Sequence, residues 1–181
     1  MTSPLLPDGV ILRDLIENDD DRGTLLELYR ELWVPVDAFQ QWNLVRSRTN
    51  VLRGVHAHPR HCDYLHVING EMLLGLHDLR PEDPNARTTC FVTMKGEIPC
   101  TAFIPPGVCH GFWFPKPTTY VYGLSSGWSI NEELGCRYDD KSLGLDWPAE
   151  DPILSPRDAA PSADYETMRA AWFAQSSGAA T

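Results

Sequence analysis

Arg53-Gly54-Val55-His56-Ala57-His58 and, further along, Pro105-Pro106-Gly107-Val108-Cys109-His110-Gly111-Phe112 are the stretches whose reading decides the fold. In the first, a glycine beside a histidine in a strand-like run lets the backbone approach a neighbour closely while the imidazole projects from it. In the second, Pro-Pro-Gly is a turn that delivers another imidazole into the following strand. Two such deliveries in a chain of short strands point to one shared cavity.

Outward from these stretches, residues 40–48 and 51–57 read as successive strands. Asn69-Gly70 stands between apolar runs at 64–68 and 71–76, and this pair favours a tight type I′ hairpin. Residues 10–15, 24–29, 88–94, 101–104, 111–114 and 119–124 are further strands punctuated by Gly or Pro, although Leu25-Leu26-Glu27-Leu28 reads equally as the start of a short helix, with an acidic turn at 17–21 and a polar loop at 81–87. This spacing predicts a sandwich or barrel. From Pro148 the composition shifts to Asp, Pro, Ser and Ala. Residues 162–175 carry a helical pattern with Ser162 as N-cap and Met168, Ala171 and Trp172 on one face, and 176–181 read as a frayed end. The expected organisation is a jelly roll over 1–148 and a tail with one docked helix over 149–181.

The 181 residues suffice for one domain with a sizeable core. A hydrophobic share of 43% with 22% charged residues excludes a disordered chain. The formal net charge of -10 argues against nucleic-acid binding, so any anionic ligand must be held by a local arginine cluster. No run is long and apolar enough to span a bilayer and no secretory leader pattern is present, so no membrane partner and a cytoplasmic location are expected. Five cysteines (Cys62, Cys90, Cys100, Cys109, Cys136) without a CxxC pair fit reduced thiols in that compartment.

The strands and the two histidine-bearing turns together indicate an all-β, cupin-type double-stranded β-helix (a jelly roll) with a small C-terminal helix. Over residues 10–148 the chain resembles the RmlC-type dTDP-4-dehydrorhamnose 3,5-epimerases. The matching pieces, in order, are Asp21-Arg22-Gly23, Gln41-x-Asn43, Val51-Leu52-Arg53-Gly54-Val55-His56, Asn69-Gly70-Glu71, Asp78-Leu79-Arg80, Ile104 through Phe112, and Tyr138-Asp139-Asp140-x-x-Leu143-Gly144-Leu145-Asp146-Trp147-Pro148. The resemblance implies proton removal next to the 4-keto group of a nucleotide-linked 6-deoxy sugar, return of a proton on the other face, no cofactor, and a homodimer. It implies His56 as base, an aspartate of the Tyr138-Asp139-Asp140 stretch (here Asp140) as the partner that fixes its tautomer, and Tyr122 as acid. It further implies Arg53 and Arg22 as pyrophosphate contacts, Arg22 reaching in from a partner subunit, with Gln41 and Asn43 near the nucleotide. Strict strand alternation puts Arg53 and His56 on opposite faces, so they share a cavity only if the strand bulges near Gly54.

One departure stands out. Where the family has a lysine that faces the sugar and can stabilise an enolate, counting back from Gly70 gives Asp63, a residue that reads either as a substrate contact or as a solvated strand-end charge. Val45 replaces a serine. His66 and His110 are candidates for the missing role. A rival reading follows from the same residues: His56-x-His58, Asp63 and His110 trace a metal-binding cupin pattern with Asp in place of Glu, suited to a divalent transition metal and to oxygenase or isomerase chemistry. His-Ala-His also occurs in metal-free sugar ketoisomerases of similar fold. A third reading is a non-catalytic sugar-nucleotide binder. His58 and His61 read by default as exposed loop residues, and Trp113, Tyr120, Trp128 and Tyr138 as core and interface aromatics.

Overall fold

The computed structural model describes residues 5–129 and 133–177. The strands are β1 (Ile11–Asp14), β2 (Glu17–Asp20), β3 (Gly23–Leu26), β4 (Gln41–Ser47), β5 (Val51–Ala57), β6 (Asp63–Asn69), β7 (Glu71–Asp78), β8 (Thr89–Lys95), β9 (Cys100–Ile104), β10 (Val108–Phe114), β11 (Thr118–Leu124) and β12 (Leu134–Gly135). Two helices follow, α1 (Pro156–Ala159) and α2 (Tyr165–Ser177). One sheet has the order β1-β9-β6-β11-β4, the second β12-β5-β10-β7-β8, and β2-β3 form a separate hairpin. This is the expected jelly-roll sandwich with its small C-terminal helix. The expected acidic turn at 17–21 is instead strand β2, because it pairs antiparallel with β3.

The two sheets close over an apolar core in which Leu65, Met72, Leu74, Leu76 and Met94 are fully buried. Each such side chain contributes roughly 1.5–3 kcal/mol relative to exposure. From β4 to β7 successive strands alternate between the two sheets, and this explains a departure at Asn69-Gly70. β6 pairs with β9 and β11, whereas β7 pairs with β8 and β10, so the two are not a hairpin. Gly70 is instead the corner where the chain changes sheet. Its φ is +94°, and a Cβ there would lie 2.5 Å from the Pro117 carbonyl oxygen.

Residues after 148 are not an appendage. Tyr165, Met168 and Trp172 share a buried cluster with Val55, Ala57, Leu79 and Cys109 on the outer face of the second sheet. Trp147 also covers this face, over Gly75, where a Cβ would sit 2.6 Å from its ring. Asp164, not Ser162, caps α2, its Oδ1 accepting from the Thr167 N–H at 2.9 Å. Ser176 and Ser177 are still helical, and 178–181 lie outside the described residues. Among the described residues no helix is long and apolar enough to cross a membrane.

Candidate active site

The sandwich opens at one end into a cavity of about 330 Å³ walled by both sheets and by the segment carrying α1. From β5 come Arg53 and His56. The register of β5 against β10 pairs Arg53 with Phe112 but His56 with His110, so three steps on β5 match two on β10. That bulge turns Arg53 and His56 into the same cavity. Gly54 makes it possible: its φ is +102°, and a Cβ would stand 2.8 Å from the His110 carbonyl oxygen.

His56 sits between two carboxylates. Its Nε2 lies 2.8 Å from Asp158 Oδ1 and its Nδ1 3.1 Å from Glu133 Oε1. Arg157 completes the group with a two-pronged pair to Glu133 at 2.7 and 2.8 Å, and its Nη2 lies 2.9 Å from His56 Nε2. Burial alone would raise the Asp158 carboxyl, but its hydrogen bond to His56, the His56 charge, Ser155 and Arg157 hold it below the ordinary range. Glu133 is likewise held low, burial being outweighed by Arg157, His56 and Trp128. Each ring nitrogen of His56 thus faces a carboxylate oxygen, and both carboxylates are shared with Arg157.

The partner carboxylate is thus Asp158 rather than Asp140. Asp140 works elsewhere as a cap: Oδ1 accepts from the Ser142 N–H at 2.9 Å and Oδ2 from the Tyr165 N–H at 3.2 Å. Asp158, Glu133 and Arg157 escaped the sequence reading. A signal for the first was present in Ser155-Pro156-Arg157-Asp158, a helix start with Ser at the N-cap and Pro next to it; in the structure Ser155 Oγ does accept from the Asp158 N–H, at 3.1 Å.

Across the cavity, Tyr120 and Tyr122 point in from β11. Burial raises both phenols above their usual value, the Asp63 and Glu133 charges adding to it at Tyr122. Val45 on β4 also lines the cavity. Gln41 and Asn43 share that face of the strand, where Gln41 Nε2 donates to Asn43 Oδ1 at 3.1 Å and Gln41 Oε1 accepts from the Trp128 N–H at 2.9 Å. Arg53 Nε donates to Ser47 Oγ at 3.1 Å. Arg22 is remote from this chain's cavity, at the tip of the β2-β3 hairpin, with its side chain 89% exposed and paired to Asp20.

Asp63 is buried and lines the cavity rather than standing solvated at a strand end. His58 and His61 are also buried, with stacked rings 3.9 Å apart, instead of exposed in a loop. His110 is buried beside them, its ring 5.1 Å from that of His58. Burial lowers the His58 imidazole, with the neighbouring His110 and His61 adding to it, and pushes His110 down to about 4. Burial drives the Asp63 carboxyl up. His66 is on the opposite face of β6 from Asp63, its Nδ1 3.0 Å from the Cys100 carbonyl oxygen, and does not line the cavity. His56, His58, Asp63 and His110 all line the cavity, with His56 engaged by Asp158 and Glu133.

The jelly-roll sandwich, of the cupin class, thus sets a histidine–aspartate pair and a tyrosine in one cavity. Comparison with known proteins carries this to a family. Residues 6–164 match the family model of dTDP-4-dehydrorhamnose 3,5-epimerase, and the chain belongs to that family. It is 28% identical over 147 residues to the spore coat polysaccharide biosynthesis protein SpsL of Bacillus subtilis (strain 168), covering 79% of this chain and 97% of that one. It is 29% identical over 165 residues to the dTDP-4-dehydrorhamnose 3,5-epimerase of Salmonella typhimurium (strain LT2), covering 86% and 90%. The RmlC epimerase of Legionella pneumophila Philadelphia 1, solved in complex with dTDP-4-keto-L-rhamnose, superposes with a TM-score of 0.77 at 28% identity over 87% and 88% of the two chains.

Proposed function

We propose that this protein epimerises a dTDP-linked 4-keto-6-deoxyhexose by moving a proton at a carbon next to the ketone. The observation that carries the reading is the placement of His56, on one sheet and paired with Asp158 of α1, across one cavity from Tyr122 on the facing sheet. Epimerisation needs a base and an acid on opposite faces of the same carbon. With Nε2–H held by Asp158, Nδ1 carries the lone pair, and a substrate C–H replaces Glu133 as its neighbour. The proton leaves carbon for His56, the electron pair moves onto the ketone oxygen, and Tyr122 returns a proton from the other side. Arg53 is placed to hold a diphosphate by paired hydrogen bonds, with Gln41 and Asn43 along the same wall towards the nucleotide. His110 and Asp63 face the sugar end. The protein works as a homodimer in which Arg22, on a hairpin outside the sandwich, reaches a partner's cavity. The exposed Ile16 and Leu25 of that hairpin region support the contact.

The test is proton NMR in D2O with a dTDP-4-keto-6-deoxyhexose. The wild type incorporates deuterium with inversion. His56→Asn abolishes incorporation, whereas Tyr122→Phe keeps exchange and loses inversion. Full exchange and inversion in both variants overturns the assignment.

A further inference from the structure

Among the described residues three carboxyl groups line the cavity, and two of them, Glu133 and Asp158, are paired with Arg157. The third, Asp63, is 4% exposed, and among the described residues no lysine or arginine lies within 4.0 Å of it. Three buried imidazoles stand beside it instead. Asp63 Oδ2 lies 3.6 Å from His58 Nε2, 3.8 Å from His110 Nε2 and 4.0 Å from His61 Nε2. These separations exceed those of a hydrogen-bonded ion pair.

The ring of His110 shows what an ionised Asp63 would meet. Its Nδ1 is 3.2 Å from the Val108 carbonyl oxygen, which can only accept, so Nδ1 carries the hydrogen and Nε2 the lone pair in the neutral ring. A carboxylate would face that lone pair with no cation to offset either. A buried carboxyl without a counter-charge escapes the cost by keeping its proton. Burial, with the Glu133 charge adding to it, drives the Asp63 carboxyl up. Burial also lowers His58 and takes His110 down to about 4, so neither ring supplies a positive charge at neutral pH. The adjoining Cys62 thiol and the Tyr120 and Tyr122 phenols are all raised by burial and stay neutral as well.

The sandwich sets this carboxyl beside the proposed acid and base. On the first sheet Leu65 is opposite Tyr122 and Asp63 is opposite Leu124. Asp63 and Tyr122 are therefore diagonal neighbours, about 7–8 Å apart along one face. On the second sheet His110, which Asp63 faces, pairs directly with His56 in the ladder.

We propose that Asp63 is a catalytic hydrogen-bond donor, protonated in the folded enzyme, whose O–H meets the ketone oxygen and stabilises the enolate formed there. The inference rests on the proposed epimerase reading. When His56 takes the proton from carbon, the electron pair of the C–H bond moves onto the ketone oxygen, and the Asp63 hydrogen bond to that oxygen strengthens. When Tyr122 returns a proton, the pair goes back to carbon. Asp63 keeps its own proton throughout. A neutral carboxyl can act in this way, whereas an ionised one would repel the enolate.

The experiment has two readouts on the full chain. Infrared difference spectra of the unliganded wild type against Asp63→Asn report the state of the carboxyl, since Glu133 and Asp158, both held low, are ionised at neutral pH. A protonated-carboxyl C=O band is expected at pH 7 and should vanish in Asp63→Asn. Deuterium exchange with a dTDP-4-keto-6-deoxyhexose reports the role. Asp63→Asn, whose amide also donates, should stay within about tenfold of the wild type, whereas Asp63→Leu should lose about 10²–10³-fold in kcat, the usual cost of one donor to an oxyanion. Circular dichroism establishes that each variant is folded, and the infrared result does not depend on Asp63→Leu. A carboxylate band alone at pH 7, or Asp63→Leu exchanging at the wild-type rate, overturns the inference and leaves the epimerase reading standing. A wild type that does not exchange removes that reading and the donor role with it.

Discussion

Nε2 of His56 and Oδ1 of Asp158 lie 2.8 Å apart although 102 positions separate them in the chain. The proposed base comes from a bulged strand and the carboxylate beside it from the first helix after the sandwich. Asp158→Asn should lower kcat by about 10²–10⁴-fold, the usual contribution of one acid–base group. Asp140→Ala should leave kcat within about twofold and lower stability by about 1 kcal/mol, as expected of a lost cap. Steady-state kinetics and urea melts on the two variants separate the roles.

Gly54 holds the geometry that lets Arg53 and His56 share a wall. Gly54→Ala forces a Cβ to within 2.8 Å of the His110 carbonyl and 2.9 Å of Gly111 Cα, at a φ that side chains resist. A loss of about 2–4 kcal/mol in stability is expected. In whatever fraction stays folded, KM should rise, because Arg53 is displaced. Arg53→Lys, with Gly54 intact, should raise KM with little change in stability.

His77 provides a pH test away from the cavity. Arg87 donates to the Tyr165 hydroxyl at 3.0 Å, and Tyr165 donates to Nε2 of the neutral His77 ring at 2.8 Å. Nδ1–H then donates to Thr89 Oγ1 at 2.8 Å, and Thr89 donates to the Leu143 carbonyl at 3.1 Å. Every link is matched only when His77 is neutral. Burial, then the Arg87 charge, lowers its imidazole to about 4. Below about 6.5 the unfolded chain takes up a proton that the folded one refuses. The stability from this group is therefore complete above pH 6.5 and is lost as pH falls towards 4, by up to about 1.4 kcal/mol per unit. Urea melts from pH 7.5 to 4.5 should show a flatter profile for His77→Gln than for the wild type.

The proposed dimer, in which Arg22 of the exposed β2-β3 hairpin enters the partner's cavity, can be tested through catalysis. Specific activity should fall on dilution in step with dimer dissociation followed by analytical ultracentrifugation. Arg22→Ala should raise KM at least tenfold without changing the sedimentation profile. A concentration-independent KM and no effect of Arg22→Ala would remove the partner's arm from the site.

The jelly roll was legible because its strands are short, apolar on alternate positions and separated by Gly and Pro. So was the bulge at Gly54, as a condition that Arg53 and His56 had to meet. The Asn69-Gly70 corner was not, since a turn pair tells the chain to reverse without saying which sheet receives it. Asp140 and Asp158 are equally plausible partners in one dimension, and only the packing of the post-148 segment on the second sheet chooses between them. His58 and His61 looked exposed because their polarity says nothing about a cavity that closes over them.

The covering segment has a further consequence, for the order in which the molecule fails. Asp158 and Arg157 are attached to the sandwich through a separate layer, anchored by Trp147, Tyr165 and Trp172 on the outer face of the second sheet. A layer with its own anchors can open as a cooperative unit below the global unfolding free energy. Activity should then disappear at a lower denaturant concentration than the sandwich itself, with tryptophan emission marking the first step. In a cell, such a protein could become inert while still resisting proteolysis of its core.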